Sequence, residues 1–105
     1  MESDVKPWAP LNEIIEGCLG CKWTLHVLAQ IQLGVNRPGA IERSAEGLTA
    51  KVLTERLVKL VGFRILEKRT FAESPPRVEY HLTPFGERIA EAIGGLERIR
   101  LEFAV

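Results

Sequence analysis

The residues of this chain that could do chemistry are few. Cys18 and Cys21 stand in the C-x-x-C spacing of a metal half-site or a redox pair, and His26 and His81 are its only histidines. A tetrahedral zinc site needs four ligands. With no second cysteine pair, only the two histidines remain to complete one, so no metal site is expected. Lys22 lies beside Cys21 and favours a thiolate there, which makes Cys18 and Cys21 a candidate redox pair. The alternative is that both thiols simply fill apolar space. Neither histidine neighbours a nucleophile or a carboxylate in a catalytic pattern, so no catalytic residue, cofactor or enzymatic activity is expected.

The other chemistry on offer is electrostatic. Fourteen basic and fourteen acidic side chains cancel, yet they are unevenly placed. Residues 37–69 hold eight basic side chains against four acidic, while residues 1–36 hold two against four and residues 70–105 hold four against six. A basic middle between mildly acidic ends is what a local anion-binding surface on a neutral domain looks like, the alternative being ordinary scatter of solvated charge.

A chain of 105 residues with 46% hydrophobic content is read as one domain, 1–105, with one core. No run approaches the roughly 18 to 20 apolar residues of a membrane span, and the start "MESD" lacks the basic end and apolar run of a signal peptide. A cytoplasmic protein is therefore expected, with reduced thiols, no structural disulfide and no membrane partner.

The elements that must position these residues follow from spacing. Residues 1–10, with Pro7 and Pro10, read as a frayed arm anchored by Trp8. Gly17 and Gly20 divide the next stretch into a short helix to about Glu16 and a second from about Gly20. The second turns Thr24, Val27, Leu28 and Ile31 inward, away from Lys22, His26 and Gln30. "PGAIERSAE" makes a short helix from Pro38, with Gly47 as the left-handed stop. Thr49 caps a helix to about Val61, in which Leu53, Leu57 and Leu60 stack on one side while Lys51, Glu55 and Val58 point away and Thr54 and Lys59 flank them.

"RILEKRTF" and Arg77–Thr83 read as a hairpin turned by Pro75 and Pro76, neither of which can donate to a ladder. In the second strand Val78, Tyr80 and Leu82 alternate with Arg77, Glu79, His81 and Thr83, so one face should be buried and the other wet. Thr83 then caps, and Pro84 opens, a helix to about Phe103. Its apolar stripe of Ile89, Ala92, Ile93, Leu96, Ile99 and Phe103, interrupted at Gly94-Gly95, is long for so small a domain. It closes the domain's own core or meets a second subunit.

Two helices joined by a tight glycine-containing turn, followed by a hairpin and a closing helix, give an α+β fold: a winged helix-turn-helix. "GCKWTLHVL", "LTAKVLTERLVKL" and above all "PPRVEYHLTPFG" resemble the HxlR family of bacterial and archaeal winged-helix regulators over about residues 17–90. Lys22, Trp23, Lys51, Leu53, Thr54, Arg56, Leu57, Pro75 to Tyr80, Leu82, Thr83 and Gly86 match its motifs. The resemblance implies a homodimer built from the terminal helices, sequence-specific binding of double-stranded DNA, and control of nearby genes by a small-molecule or redox signal. Three positions depart from the family pattern. Pro10 stands where many members carry a sensing cysteine, Arg64 where they have a turn glycine, and Pro38 where they have an aromatic residue.

Lys51, Thr54 and Glu55 are the candidates for base-edge or phosphate contact, since a helix in the major groove offers its early turns to the bases. Thr49 caps its helix first and meets phosphate second. Arg37, Lys59, Arg69 and Arg77 are phosphate candidates beside the helix and along the wing. Arg56 leans toward the packed side and an internal partner. The competing expectation from another class is a winged helix that docks a protein and binds no DNA.

Overall fold

A computed structural model describes residues 9–104; the expected anchor Trp8 lies outside them. The elements run α1 (Leu11–Ile14), a π-helical turn (Ile15–Leu19), α2 (Thr24–Gln32), α3 (Pro38–Arg43), α4 (Ala50–Gly62), β1 (Leu66–Phe71), β2 (Arg77–Leu82) and α5 (Pro84–Glu102). Strands β1 and β2 form one antiparallel pair, with Leu66 opposite Leu82 and Phe71 opposite Arg77. This is the expected α+β winged helix-turn-helix.

The core forms where the helical stripes converge. Val27, Leu28 and Ile31 of α2, Ile41 of α3, and Leu53, Leu57 and Leu60 of α4 are all buried, and Ile65 and Leu66 carry the same core into the hairpin. Burial of each such side chain is worth roughly 1.5–3 kcal/mol, so the leucine stripe fixes which side of α4 faces inward. Thr24, also buried and also expected there, closes the near end of that stripe.

Both expected caps are present. The Thr49 hydroxyl accepts from the Val52 N–H at 3.2 Å and the Thr83 hydroxyl from the Gly86 N–H at 2.9 Å, with Pro84 following in the first helical turn. Each such cap contributes about 1 kcal/mol. Gly47 has φ +93° and ends the α3–α4 turn in the left-handed conformation.

Three expectations need correction. Gly17 does not end the first helix, which runs on as a π turn to Leu19 and closes with Gly20 N–H donating to Ile15 O at 2.7 Å. Gly17 lies against the Phe63 ring, from which a Cβ there would stand 3.5 Å, an ordinary contact distance. Helix α2 starts at Thr24 rather than Gly20, because Trp23 takes φ +78° and cannot continue a right-handed helix. Strand β2 does not alternate between buried and wet, all six residues being half-buried. Tyr80 and Leu82 pack on the core, Val78 sits out at the wing, and Arg77, Glu79 and His81 shield one another by pairing. Helix α5 runs unbroken through Gly94-Gly95 to Glu102, as expected of a helix to about Phe103.

Two further hydrogen bonds lock the wing to the helices. The Tyr80 N–H donates to Asn36 O at 2.8 Å, so β2 is flanked by the loop before α3 as well as by β1. The Thr83 hydroxyl donates to Arg64 O at 2.5 Å, joining the start of α5 to the entry of β1.

Candidate nucleic-acid interface

Helix α4 is amphipathic in the sense that matters for a polyanion. Its leucines are sealed in the core, while Lys51, Thr54, Glu55 and Lys59 are exposed along the opposite side and Thr49 sits exposed at its N-cap. Lys51 lies in the first turn and Lys59 two turns on. Among the described residues neither is ion-paired, so both ammonium groups are free for an external anion. Glu55 approaches Arg56 at 3.8 Å, a loose contact that leaves its carboxylate open to a donor such as a cytosine amine. Val58, 64% exposed, adds an apolar contact to the same side.

Arg56 has the internal partner its position suggested. Its Nε donates to Lys22 O at 2.7 Å, tying α4 to the turn before α2. Lys22 itself extends over the Trp23 ring, its Nζ 5.8 Å from the centroid, and Trp23 meets His26 edge to face at 5.6 Å. His26 Nε2 lies 2.8 Å from the Ser44 hydroxyl, which donates to Ile41 O at 2.5 Å. The hydroxyl proton is thereby used, so the imidazole N–H is the donor to Ser44. His26 thus fastens α2 to the end of α3 and is part of the scaffold.

The wing holds its cations differently. Arg69 Nε bonds Glu67 at 2.7 Å. Arg77 is stacked over Phe71, its guanidinium carbon 4.2 Å from the centroid, and approaches Glu73 and Glu79 at 3.3 Å each. The Glu79 contact is an electrostatic one, since the buried Arg77 Nε makes no well-aligned hydrogen bond. Glu79 also accepts from His81 at 2.8 Å. The His81 bond, with Arg77 and Arg37 nearby, holds the Glu79 carboxyl below its ordinary value. Arg37 is exposed at the N-cap of α3.

Sequence reasoning passed over Lys68. It is exposed on β1 opposite Tyr80 and, among the described residues, unpaired. Its signal was there to be read, because Lys68 stands between Glu67 and Arg69, whose charges satisfy each other and leave it alone.

Cys18 is 1% exposed, and burial, reinforced by Cys21, pushes its thiol up to about 11 against the pull of Lys59 and Arg56. Cys21 is half-exposed. Among the described residues no group of three or more Cys, His, Asp or Glu side chains could hold a metal ion, and no helix is long and apolar enough to cross a membrane.

A family model described as HxlR-like helix-turn-helix matches residues 18–104. The chain is 31% identical to an HTH-type transcriptional regulator of Synechocystis over 86% of its own length and 66% of that protein's. The match thus spans about two thirds of that relative. Among solved structures, a transcriptional regulator of the MarR family from Enterococcus faecalis superposes with TM-score 0.77 at 30% identity, over 91% of this chain and 90% of that one. The reduced form of the regulator YodB from Bacillus subtilis superposes with TM-score 0.78 at 25% identity, over 91% and 94%.

Proposed function

Because the chain belongs to the HxlR-like helix-turn-helix family of DNA-binding transcriptional regulators, we propose that it acts as a homodimer, each protomer setting α4 into a major groove of double-stranded DNA. The observation that carries this reading is the free lysine-bearing side of α4, rigidly backed by Leu53, Leu57 and Leu60. Lys51, Thr54 and Glu55 meet base edges or phosphates, and Thr49, Lys59 and Arg37 meet the backbone beside them. In the wing Arg69 and Arg77 reach phosphate only by exchanging their carboxylate partners. The protein works in the cytoplasm and answers a small-molecule or redox signal.

The dimer rests on α5. Leu96, Ile99 and Phe103, on one side of α5, are each more than half exposed, as is Leu11 of α1, apolar side chains that a lone protomer leaves in water. A symmetric dimer built from these terminal helices presents two copies of α4 to half-sites about one helical turn, roughly 34 to 36 Å, apart.

Selection of bound duplexes from a random pool tests the proposal. A palindromic consensus whose affinity falls steeply with salt is expected. Absence of binding to any duplex at low salt would overturn it and favour a protein-docking role for the same surface.

A further inference from the structure

Resting on the DNA-binding reading of α4, we propose that the far end of α4 holds a site for a small aromatic monocarboxylate, and that a ligand bound there displaces DNA. An open cavity of about 850 Å³ lies against the last turns of the helix. That volume falls within the range of small-molecule sites, roughly 300–1,000 Å³.

The cavity exists because the helix is bare at its centre. Gly62 follows Val58 by four residues and Glu55 by seven, so all three share the outward side of α4. A Cβ on Gly62 would meet no neighbouring atom of the described residues within 4 Å. Glycine is a poor helix former, and neither packing nor backbone shape requires it here, since the positive φ of the following turn falls on Arg64. Its effect is to leave a hollow that Val58, Val61 and Phe63 wall with apolar surface. Val58 is 64% exposed, a branched apolar side chain that the protomer itself does not cover.

The charges round the hollow set the sign of the ligand. Lys59 and Arg56 line it against one carboxylate, that of Glu55. Lys59 has no ion pair among the described residues. Arg56 spends its Nε on Lys22 O, while its Nη1 has the loose Glu55 contact at 3.8 Å, which leaves the guanidinium able to take a second carboxylate. One unit of positive charge therefore goes unbalanced, which suits a monoanion, and the Thr54 hydroxyl adds a donor at the rim. A flat ring against Phe63 and Val58 with its carboxylate toward Lys59 satisfies both halves of the lining. Thr54, Glu55 and Lys59 are also residues offered to DNA, so ligand and duplex claim one surface and exclude each other directly.

The probe is 2-naphthoate, with 2-naphthamide as the ring without the charge and acetate as the charge without the ring. Each is titrated into the full chain by calorimetry and by amide NMR, and duplex affinity is measured with and without naphthoate. Expected are naphthoate binding with amide shifts centred on residues 54–63, binding of naphthamide and acetate weaker by about tenfold or more, and a loss of duplex affinity of about tenfold with naphthoate at ten times its own Kd. Gly62→Leu, which fills the hollow with its own side chain, should keep its circular dichroism and lose naphthoate binding. Naphthoate that fails to bind at millimolar concentration, binds no tighter than naphthamide, shifts amides elsewhere, still binds Gly62→Leu or leaves duplex affinity unchanged overturns the proposal. A chain that binds no duplex yet takes naphthoate at residues 54–63, with the binding lost in Gly62→Leu, overturns the DNA reading alone and supports the site.

Discussion

Gly86 lies so close to Ile65 that a Cβ on Gly86 would overlap the Ile65 carbonyl oxygen. That carbonyl also accepts from the Thr83 N–H at 3.1 Å, so the first turn of α5 is pressed directly onto the backbone leading into β1. Neither side of the contact is a flexible side chain, and relief requires moving a strand or a helix. Gly86→Ala should therefore destabilise the fold by about 3 kcal/mol, read as a lower urea midpoint with unchanged slope.

Arg64 makes the opposite case. It holds φ +62° between α4 and β1, a conformation that costs a residue with a Cβ about 1–2 kcal/mol and glycine almost nothing. Its side chain is exposed and, among the described residues, forms no ion pair, so nothing offsets that cost. Arg64→Gly should raise stability by about 0.5–1 kcal/mol after the larger chain entropy of glycine is subtracted, and thermal unfolding will show it.

The features legible in the sequence are those fixed by local chemistry. Leu53, Leu57 and Leu60 declare the inner side of α4 by spacing alone, and Thr49, Thr83 and Pro84 announce helix starts because capping is a short-range hydrogen bond. The departure at Arg64 marked a turn whose positive φ suits glycine. What spacing could not show depends on distant partners. Gly17 looks like a breaker until the helix is seen to run on as a π turn to Leu19, and the half-burial of β2 depends on the loop before α3, whose Asn36 carbonyl accepts from the Tyr80 N–H. At the candidate interface the exposed side of α4 and the short-range pairing of Arg69 with Glu67 were readable, whereas the stacking of Arg77 on Phe71 required the hairpin register.

Glu79 links that wing network to pH. Its carboxyl titrates below the ordinary 4.5, chiefly through the bond from His81, so the folded state favours its ionised form. A lowered folded value contributes stability above the unfolded pKa and loses it as pH falls through the folded one. Wild type should exceed Glu79→Gln in urea midpoint near pH 7, and the difference should shrink toward zero near pH 3. A difference that grows on acidification would contradict the assignment.

The exposed row on α5 predicts assembly. Ile99 is 52% exposed and outside the protomer's own core, so Ile99→Glu leaves folding intact but places a carboxylate in any interface built there. Light scattering should give a dimer for wild type and a monomer for the variant at micromolar concentration, with helicity by circular dichroism retained. A monomeric wild type would remove the dimer from the proposal.

Lys51 and the wing arginines separate free charge from spent charge. An unpaired lysine that neutralises a phosphate releases counterions, and its loss lowers the slope of log affinity against log salt by about 0.9 per contact. Arg69 and Arg77 already sit against Glu67, Glu73 and Glu79, so a phosphate must compete with a carboxylate at close range for each of them. Lys51→Ala should therefore weaken binding and flatten the salt slope by about one unit in each protomer. Arg69→Ala and Arg77→Ala should change the slope by less than half as much, while Lys68→Ala, which removes an unpaired wing cation, should resemble Lys51→Ala. Fluorescence polarisation of the selected duplex across a salt series measures all four. Equal slopes for Lys51→Ala and wild type would show that the free side of α4 does not meet the phosphate backbone at Lys51.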